Sequence, residues 1–267
     1  MSFRNAFEQR IQKRVQELDQ AGLRRHLQPP SGIDLSSNDY LGLATHPLLK
    51  EKMAAAVMAE GCGATASRLL RGDRACFTSL ERRFADFKNT EAAVYFGSGY
   101  AANLSVLSTF MERTDLVFSD QQNHASILDG IRLSMARRIK FPHCDVDRLA
   151  HLLREAPTAQ KFLITESLFS MDGDFAPLAD YADLCRETNT VLIVDEAHAV
   201  GIYGNRGSGW VEQTGTEEAV FLTVNTAGKA LGVAGAFVAG PEWAIDFIIQ
   251  RARPFIFSTA PPPPVAA

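Results

Sequence analysis

The sequence lacks most of the features that mark specialised protein classes. Cysteine is scarce: Cys62, Cys76, Cys144 and Cys185 are the four among 267 residues. No two form a C-x-x-C pair, so neither a zinc knuckle nor a dithiol redox motif is indicated, and a disulfide scaffold is equally unsupported. Free, mostly buried thiols in a reducing cytoplasm are the expected state. Basic residues are not in excess. The 27 Lys and Arg against 31 Asp and Glu give a net charge of −4 and a pI near 5.9, which speaks against nucleic acid as a partner. Long apolar runs are missing. The longest uncharged one, at about 230–240, falls short of the roughly 18 residues of a membrane span, so no membrane partner is expected. The segment MSFRNAFEQRIQKRVQELDQ carries acids and no apolar centre, unlike a signal or transit peptide.

What is present is an ordinary globular composition, 46% hydrophobic and 22% charged. It excludes disorder, collagen and coiled coil, and allows one large domain or two modest ones. Phe3, Phe7, Ile11, Val15 and Leu18 recur at three- or four-residue spacing, predicting an amphipathic helix over 3–28 that ends at Pro29, Pro30, Ser31 and Gly32. Helices are also predicted at about 47–60 and 76–89, separated by a small-residue loop at 61–73. From Ala92 the rhythm changes. Short β-branched or aromatic runs at 92–96, 115–120, 137–141, 161–167, 190–196, 219–225 and 235–240 alternate with stretches of helical pattern. That alternation predicts an α/β fold: a mostly parallel seven-stranded sheet with helices on both faces. The last run follows its predecessor too closely for a crossover and is expected antiparallel. The terminal STAPPPPVAA carries no predicted element.

Three motifs point in directions that the rest of the chain does not support. Residues 97–102 fit G-x-G-x-x-A after a strand, and Asp120 follows about twenty residues on, which by itself suggests an NAD-binding oxidoreductase. Small residues at such a turn suit any phosphate, however, because free N–H groups and the helix dipole favour anions. Residues 195–198 spell the helicase box, but no G-x-x-x-x-G-K-[ST] accompanies it. Gly207, Ser208 and Gly209 lack the strand and the full motif of a hydrolase elbow.

Reactive residues collect after the predicted strands, where open α/β sheets bind ligands. Asp195 ends TVLIVD, and His198 is three residues on. His124 follows DLVFSD, Ser170 follows KFLITES, and Lys229 follows AVFLTVN. Each has an ordinary reading as a cap, a loop residue or a solvated group. Together with the phosphate-type turn they fit one cofactor, pyridoxal 5′-phosphate (PLP). A lysine amine can form its Schiff base, a carboxylate can keep the pyridine nitrogen protonated, and the protonated ring is an electron sink.

The segments SSNDYLGL, GATASRLLRGD, FGSGYAAN, NHASILDG, SLFSMDGD, VDEAHAVGIYGNRGSG, TAGKALGVAGAFV and FSTAPPP occur in the order found in the α-oxoamine synthases. The sequence resembles that family of fold type I PLP enzymes over nearly its whole length, and SRLLRGD and SMDGD are most like the 8-amino-7-oxononanoate synthases of biotin biosynthesis. The resemblance implies a three-layer α/β/α large domain of the PLP-dependent transferase type at 46–250, preceded by an N-terminal helical arm at 1–45. Residues 251–267 would begin a connection to a small C-terminal domain that the chain lacks. It implies Lys229 as the Schiff-base lysine, Asp195 as the pyridine-nitrogen partner, His198 as donor to the phenolic oxygen with Ser170 close by, and His124 stacked on the ring. The amides of Gly99 and Tyr100, with Thr226, would hold the phosphate. Ser258 and Thr259 would reach the phosphate of a neighbouring subunit, implying a homodimer with shared sites. Asn38 and Arg24 resemble residues placed near the substrate. The implied reaction joins an amino acid, L-alanine, to an acyl-CoA, pimeloyl-CoA, with loss of CO2 and CoA to give 8-amino-7-oxononanoate. Alternatives are glycine C-acetyltransferase or another α-oxoamine synthase, and a PLP-binding chain without turnover. The last arises because the small domain supplies the arginine for the substrate carboxylate.

Overall fold

A computed structural model describes residues 3–267, with side chains from residue 5 onward, so the Phe3 side chain lies outside the described residues. The chain divides into two units, one ending at Ser37 and one spanning Asn38–Ala267. In the first, helix α1 (Phe3–Gln20) stops at Gln20 rather than near residue 28. Gly22 takes φ +67°, and the bonds Leu23 N–H to Leu18 O and Gly22 N–H to Asp19 O close the end. This is the glycine-terminated cap that satisfies the last carbonyls of a helix. The periodicity of the apolar residues ends at Leu18, so the extension to 28 had no support beyond the first proline.

In the second unit, α2 (Pro47–Glu60) and α3 (Ala75–Lys88) fall where the apolar spacing placed them. Between them, Arg68–Gly72 forms one wide helical turn within the expected loop. The sheet comprises β1 (Ala92–Phe96), β2 (Leu116–Asp120), β3 (Arg137–Phe141), β4 (Lys161–Glu166), β5 (Thr190–Asp195), β6 (Val220–Thr226) and β7 (Ala236–Gly240). Their order is β1-β7-β6-β5-β4-β2-β3, and only β7 runs antiparallel to its neighbours β1 and β6. The crossovers carry α4 (Gly99–Phe110), α5 (Ala125–Ser134), α6 (Val146–Arg154) and α7 (Leu178–Thr188). The stretch between β5 and β6 holds two short helical turns, α8 (Trp210–Gln213) and Glu217–Ala219, and before them Gly201, Gly204, Gly207 and Gly209 all adopt positive φ. Helix α9 (Glu242–Arg251) follows β7.

Strand side chains alternate between the two faces, as the pleat requires. Val94, Val117, Ile164 and Ile193 join one core with Val106 of α4, Ile131 of α5 and Ile248 of α9. Phe118, Leu163 and Val194 join the other with Leu149 of α6 and Leu184 of α7. Over β1 and β7, Phe84 of α3 stacks on Phe237 with centroids 3.8 Å apart. The result is helix, sheet and helix in three layers, the α/β/α architecture expected from the alternation.

Details of the misleading motifs are settled by packing. Glu196 of the helicase-like box is fully buried and pairs with Lys88 at 2.5 Å. Ser208 is buried with its hydroxyl on Glu212, so it is no exposed nucleophile. Asp120 is fully buried and accepts from the N–H groups of Gln122 and Cys144, with His143 Nδ1 at 3.0 Å. It is thereby withheld from any ribose. The terminal prolines do form an element: Pro263–Ala266 makes a helical turn, with Pro263 and Pro264 buried. The thiols are all free, but only Cys185 is buried; Cys76 and Cys144 are half-buried and Cys62 is exposed. Among the described residues no helix is long and apolar enough to cross a membrane.

Candidate functional site

The parallel strands deliver their carboxyl ends to one edge of the sheet. There the chain reverses its direction of winding. After β2 it steps outward to β3, and after β4 it steps the other way to β5. Such a switch point splays adjacent strands and opens a crevice. The register of β2 with β4 ends at Ser119 and Ile164. Beyond it Asn123 fills the gap, donating to Ile164 O and accepting the N–H of Glu166.

A cavity of about 150 Å3 lies along this edge, lined by Gly99, Tyr100, His124, Asp195, His198, Thr226 and Lys229 together with Asn103, Ser126, Glu166 and Ala197. The first seven were expected from sequence. Lys229 sits in the loop between β6 and β7, where Gly232 N–H bonds to Lys229 O. Gly232 takes φ +70°, and a Cβ there would meet Ala44 N at 2.6 Å. Glycine therefore lets this loop pack against the segment that carries Tyr40.

The Lys229 amine lies 2.6 Å from His198 Nε2, and the other ring nitrogen lies 2.7 Å from the Tyr40 hydroxyl. Burial above all, then Lys229 and His124, drives the His198 pKa down to about 4, so the ring is neutral at ordinary pH. A neutral imidazole has one N–H and one lone pair, so the role of Tyr40 fixes the complementary role at Lys229. Burial also lowers the Lys229 pKa, against the opposing pull of Asp195 and Glu166.

Asp195 is buried at the end of β5. One oxygen takes the N–H of Ala197 at 2.8 Å and the other takes Asn103 Nδ2 at 2.6 Å, so its carboxylate is aimed from two sides. His124 caps α5, its Nδ1 accepting from Ser126 N–H. At the start of α4, Ser98 caps Ala101 N–H, while the N–H groups of Gly99 and Tyr100 have no acceptor among the described residues. A Cβ on Gly99 would meet Thr226 Oγ1 at 2.3 Å.

The other expected residues lie elsewhere. Ser170 is exposed in the turn after β4. Ser258 and Thr259 line a separate cavity of about 230 Å3 with Arg68, Gly97 and Ser98. Asn38 accepts from the Tyr40 hydroxyl at 3.1 Å, one residue removed from His198. Arg24 belongs to the first unit, where it lies 3.8 Å from Asp19. Sequence reasoning missed Asn103, Ser126, Glu166 and Tyr40. Asn103 lies one turn beyond Gly99 on the same helix face, and Glu166 is the register partner of Asp195; both signals appear only once the elements are paired.

The donor set fits PLP at each of its ends. The α4 N-terminus presents two free N–H groups to an anion in a cradle that a Cβ would fill. A half-buried amine stands ready for an aldehyde, and a fixed carboxylate for a ring nitrogen.

Comparison with known proteins agrees. Residues 30–267 match the aminotransferase class I and II family. The 8-amino-7-oxononanoate synthase of Anaeromyxobacter sp. (strain K) is 46% identical over 266 residues, covering 95% of this chain and 67% of that protein. The enzyme of the same name from Geobacter sulfurreducens is 45% identical, covering 95% and 68%. Among solved structures, serine palmitoyltransferase from S. paucimobilis with bound PLP–myriocin aldimine aligns with a TM-score of 0.87 at 28% identity, covering 100% of this chain and 71% of that one. The chain thus spans about two thirds of the length of the curated relatives it matches.

Proposed function

This chain belongs to the aminotransferase class I and II family, and on that premise we propose that it holds PLP on Lys229 and serves the acyl-transfer chemistry of an α-oxoamine synthase. The observation that carries the reading is the Lys229 amine, 2.6 Å from His198 in a cavity shared with Asp195 and the open α4 N-terminus. The relatives named 8-amino-7-oxononanoate synthase support 8-amino-7-oxononanoate as the product; this reading takes L-alanine and pimeloyl-CoA as the substrates, with CoA and CO2 released.

When bound, PLP supplies an electron sink conjugated to the α-carbon of the amino acid. Lys229 would hold the aldehyde carbon, yield it to the substrate amine, and then take the α-proton on its nitrogen. Its lowered pKa favours the neutral amine that both tasks need. Asp195 would face the ring nitrogen and keep its proton, since a fixed carboxylate stabilises a neighbouring cation. Neutral His198 would meet the phenolic oxygen, and His124 would cover the ring face. Gly99, Tyr100 and Thr226 would bind the phosphate. For Ser258 and Thr259 we propose the phosphate of a second subunit, and for Arg24 and Asn38 the substrate. The same reading makes residues 1–45 an arm, 46–250 the PLP-binding domain and 251–267 the segment leading out of it.

Gly99→Ala is expected to weaken PLP binding about tenfold, because the new methyl displaces the Thr226 hydroxyl and closes the anion cradle. Titration of the cofactor-free protein by absorbance checks this; an unchanged Kd would remove Gly99 from the phosphate site. The reaction itself is tested by CoA release from PLP-loaded protein. Pimeloyl-CoA with L-alanine is expected to exceed acetyl-CoA with glycine by about tenfold or more. The reverse preference points to glycine C-acetyltransferase, and PLP loading with no CoA release from either pair points to binding without turnover.

A further inference from the structure

Glu166 lines the cavity but takes no part in the roles above. It ends β4 as the register partner of Asp195, and both are buried. Residues in register on neighbouring strands of a sheet leave the same face about 5 Å apart. Asp195 has both oxygens engaged. Glu166 has one, Oε1, which accepts the backbone N–H of His124 at 2.6 Å. The charged and titratable groups acting on Glu166 are Asp195 on β5, Asp120 on β2, His124 at the start of α5 and Lys229 in the β6–β7 loop. Among these side chains the Lys229 amine is the one that draws Glu166 toward its charged form, and burial disfavours the charge on that amine.

Two neighbouring buried carboxylates do not both ionise cheaply. The better-bonded one keeps the charge, and that is Asp195. We propose that Glu166 is a positioning residue: a neutral carboxylic acid beside Asp195 that fixes His124 through its backbone N–H and releases its proton to solvent when a cation enters next to the pair. Burial first, then Asp195, pushes the Glu166 pKa up to about 8, in keeping with that geometry. The identity of the cation, the protonated ring nitrogen of PLP, rests on the function proposed above; the proton on Glu166 in the cofactor-free protein does not.

The sign of the pH effect follows. Between the ordinary value of 4.5 and about 8 the folded protein holds a proton on Glu166 that the unfolded chain has lost, so this group's contribution to stability falls as pH rises through that window. Glu166→Gln keeps a neutral acceptor for the His124 N–H and removes the titration. In cofactor-free protein, the melting temperature of Glu166→Gln relative to wild type is expected to climb across this window. A constant difference overturns the neutral acid.

In PLP titrations, Glu166→Gln is expected to bind within about threefold of wild type near the lower end of the window, and Glu166→Ala about tenfold more weakly, because His124 loses its acceptor. Calorimetry in two buffers of different ionisation enthalpy is expected to show wild type releasing close to one proton more than Glu166→Gln on PLP uptake, near the middle of the window. Equal release, or Gln as damaging as Ala, overturns the positioning role. Wild type that takes up no PLP instead sinks the functional reading, while the melting series still judges the proton on Glu166.

Discussion

Lys229→Ala is expected to abolish borohydride-fixed labelling by PLP and to lower CoA release by at least about 10⁴-fold. Two separate losses combine. The covalent hold on the aldehyde carbon disappears, because no other lysine lines the cavity. The proton acceptor at the substrate α-carbon disappears with it, and His198 is a poor replacement: its pKa of about 4 makes it a weak base. The fold is expected to survive, since Lys229 is half-buried in a loop and its amine meets, among the described residues, only His198, while the Gly232 N–H bond to its backbone carbonyl is kept by alanine. PLP is still expected to bind without a covalent link, through the α4 N-terminus and Asp195. A labelled Lys229→Ala protein, or one with near-normal turnover, would require a different lysine and a different site.

Asp195→Asn is the second large effect. The substitution keeps the size of the side chain and an oxygen for the Ala197 N–H, but removes the charge facing the ring nitrogen. PLP binding is expected to weaken by about 10²-fold or more, the cost of leaving a buried cation without its partner. The amide also places a second NH2 group opposite Asn103, whose Nδ2 now donates to Asp195 at 2.6 Å. Without a negative partner the ring nitrogen loses its proton, so α-proton exchange with solvent is expected to slow even at saturating PLP. Hydrogen–deuterium exchange of L-alanine, followed by NMR, reads this step apart from binding. Normal exchange with normal PLP affinity would remove Asp195 from the role.

Much of the fold was legible in the sequence because two periods coexist in it. The β-branched runs placed all seven strands within a residue or so, and the short interval between β6 and β7 forced their antiparallel pairing. The region after β5 was harder. Its length allows a helix, but four positive-φ glycines hold it as turns. The site divides the same way. Asp195, His124 and Lys229 are visible because the first ends a strand and the others stand three or four residues after one. Glu166 and Asn103 are not, since a polar residue at a strand end or helix face carries no signal until Asp195 is placed beside it by pairing and packing. Ser170 stands after a strand too, yet the turn that follows turns it outward to solvent. Chain order alone does not show which residues of a loop face inward.

The most direct measurement is mass mapping of peptides after the protein is loaded with PLP and reduced with borohydride. The account predicts one pyridoxyl adduct per chain, on the peptide that contains Lys229. An adduct concentrated on any other lysine, or folded protein that acquires none, would contradict it.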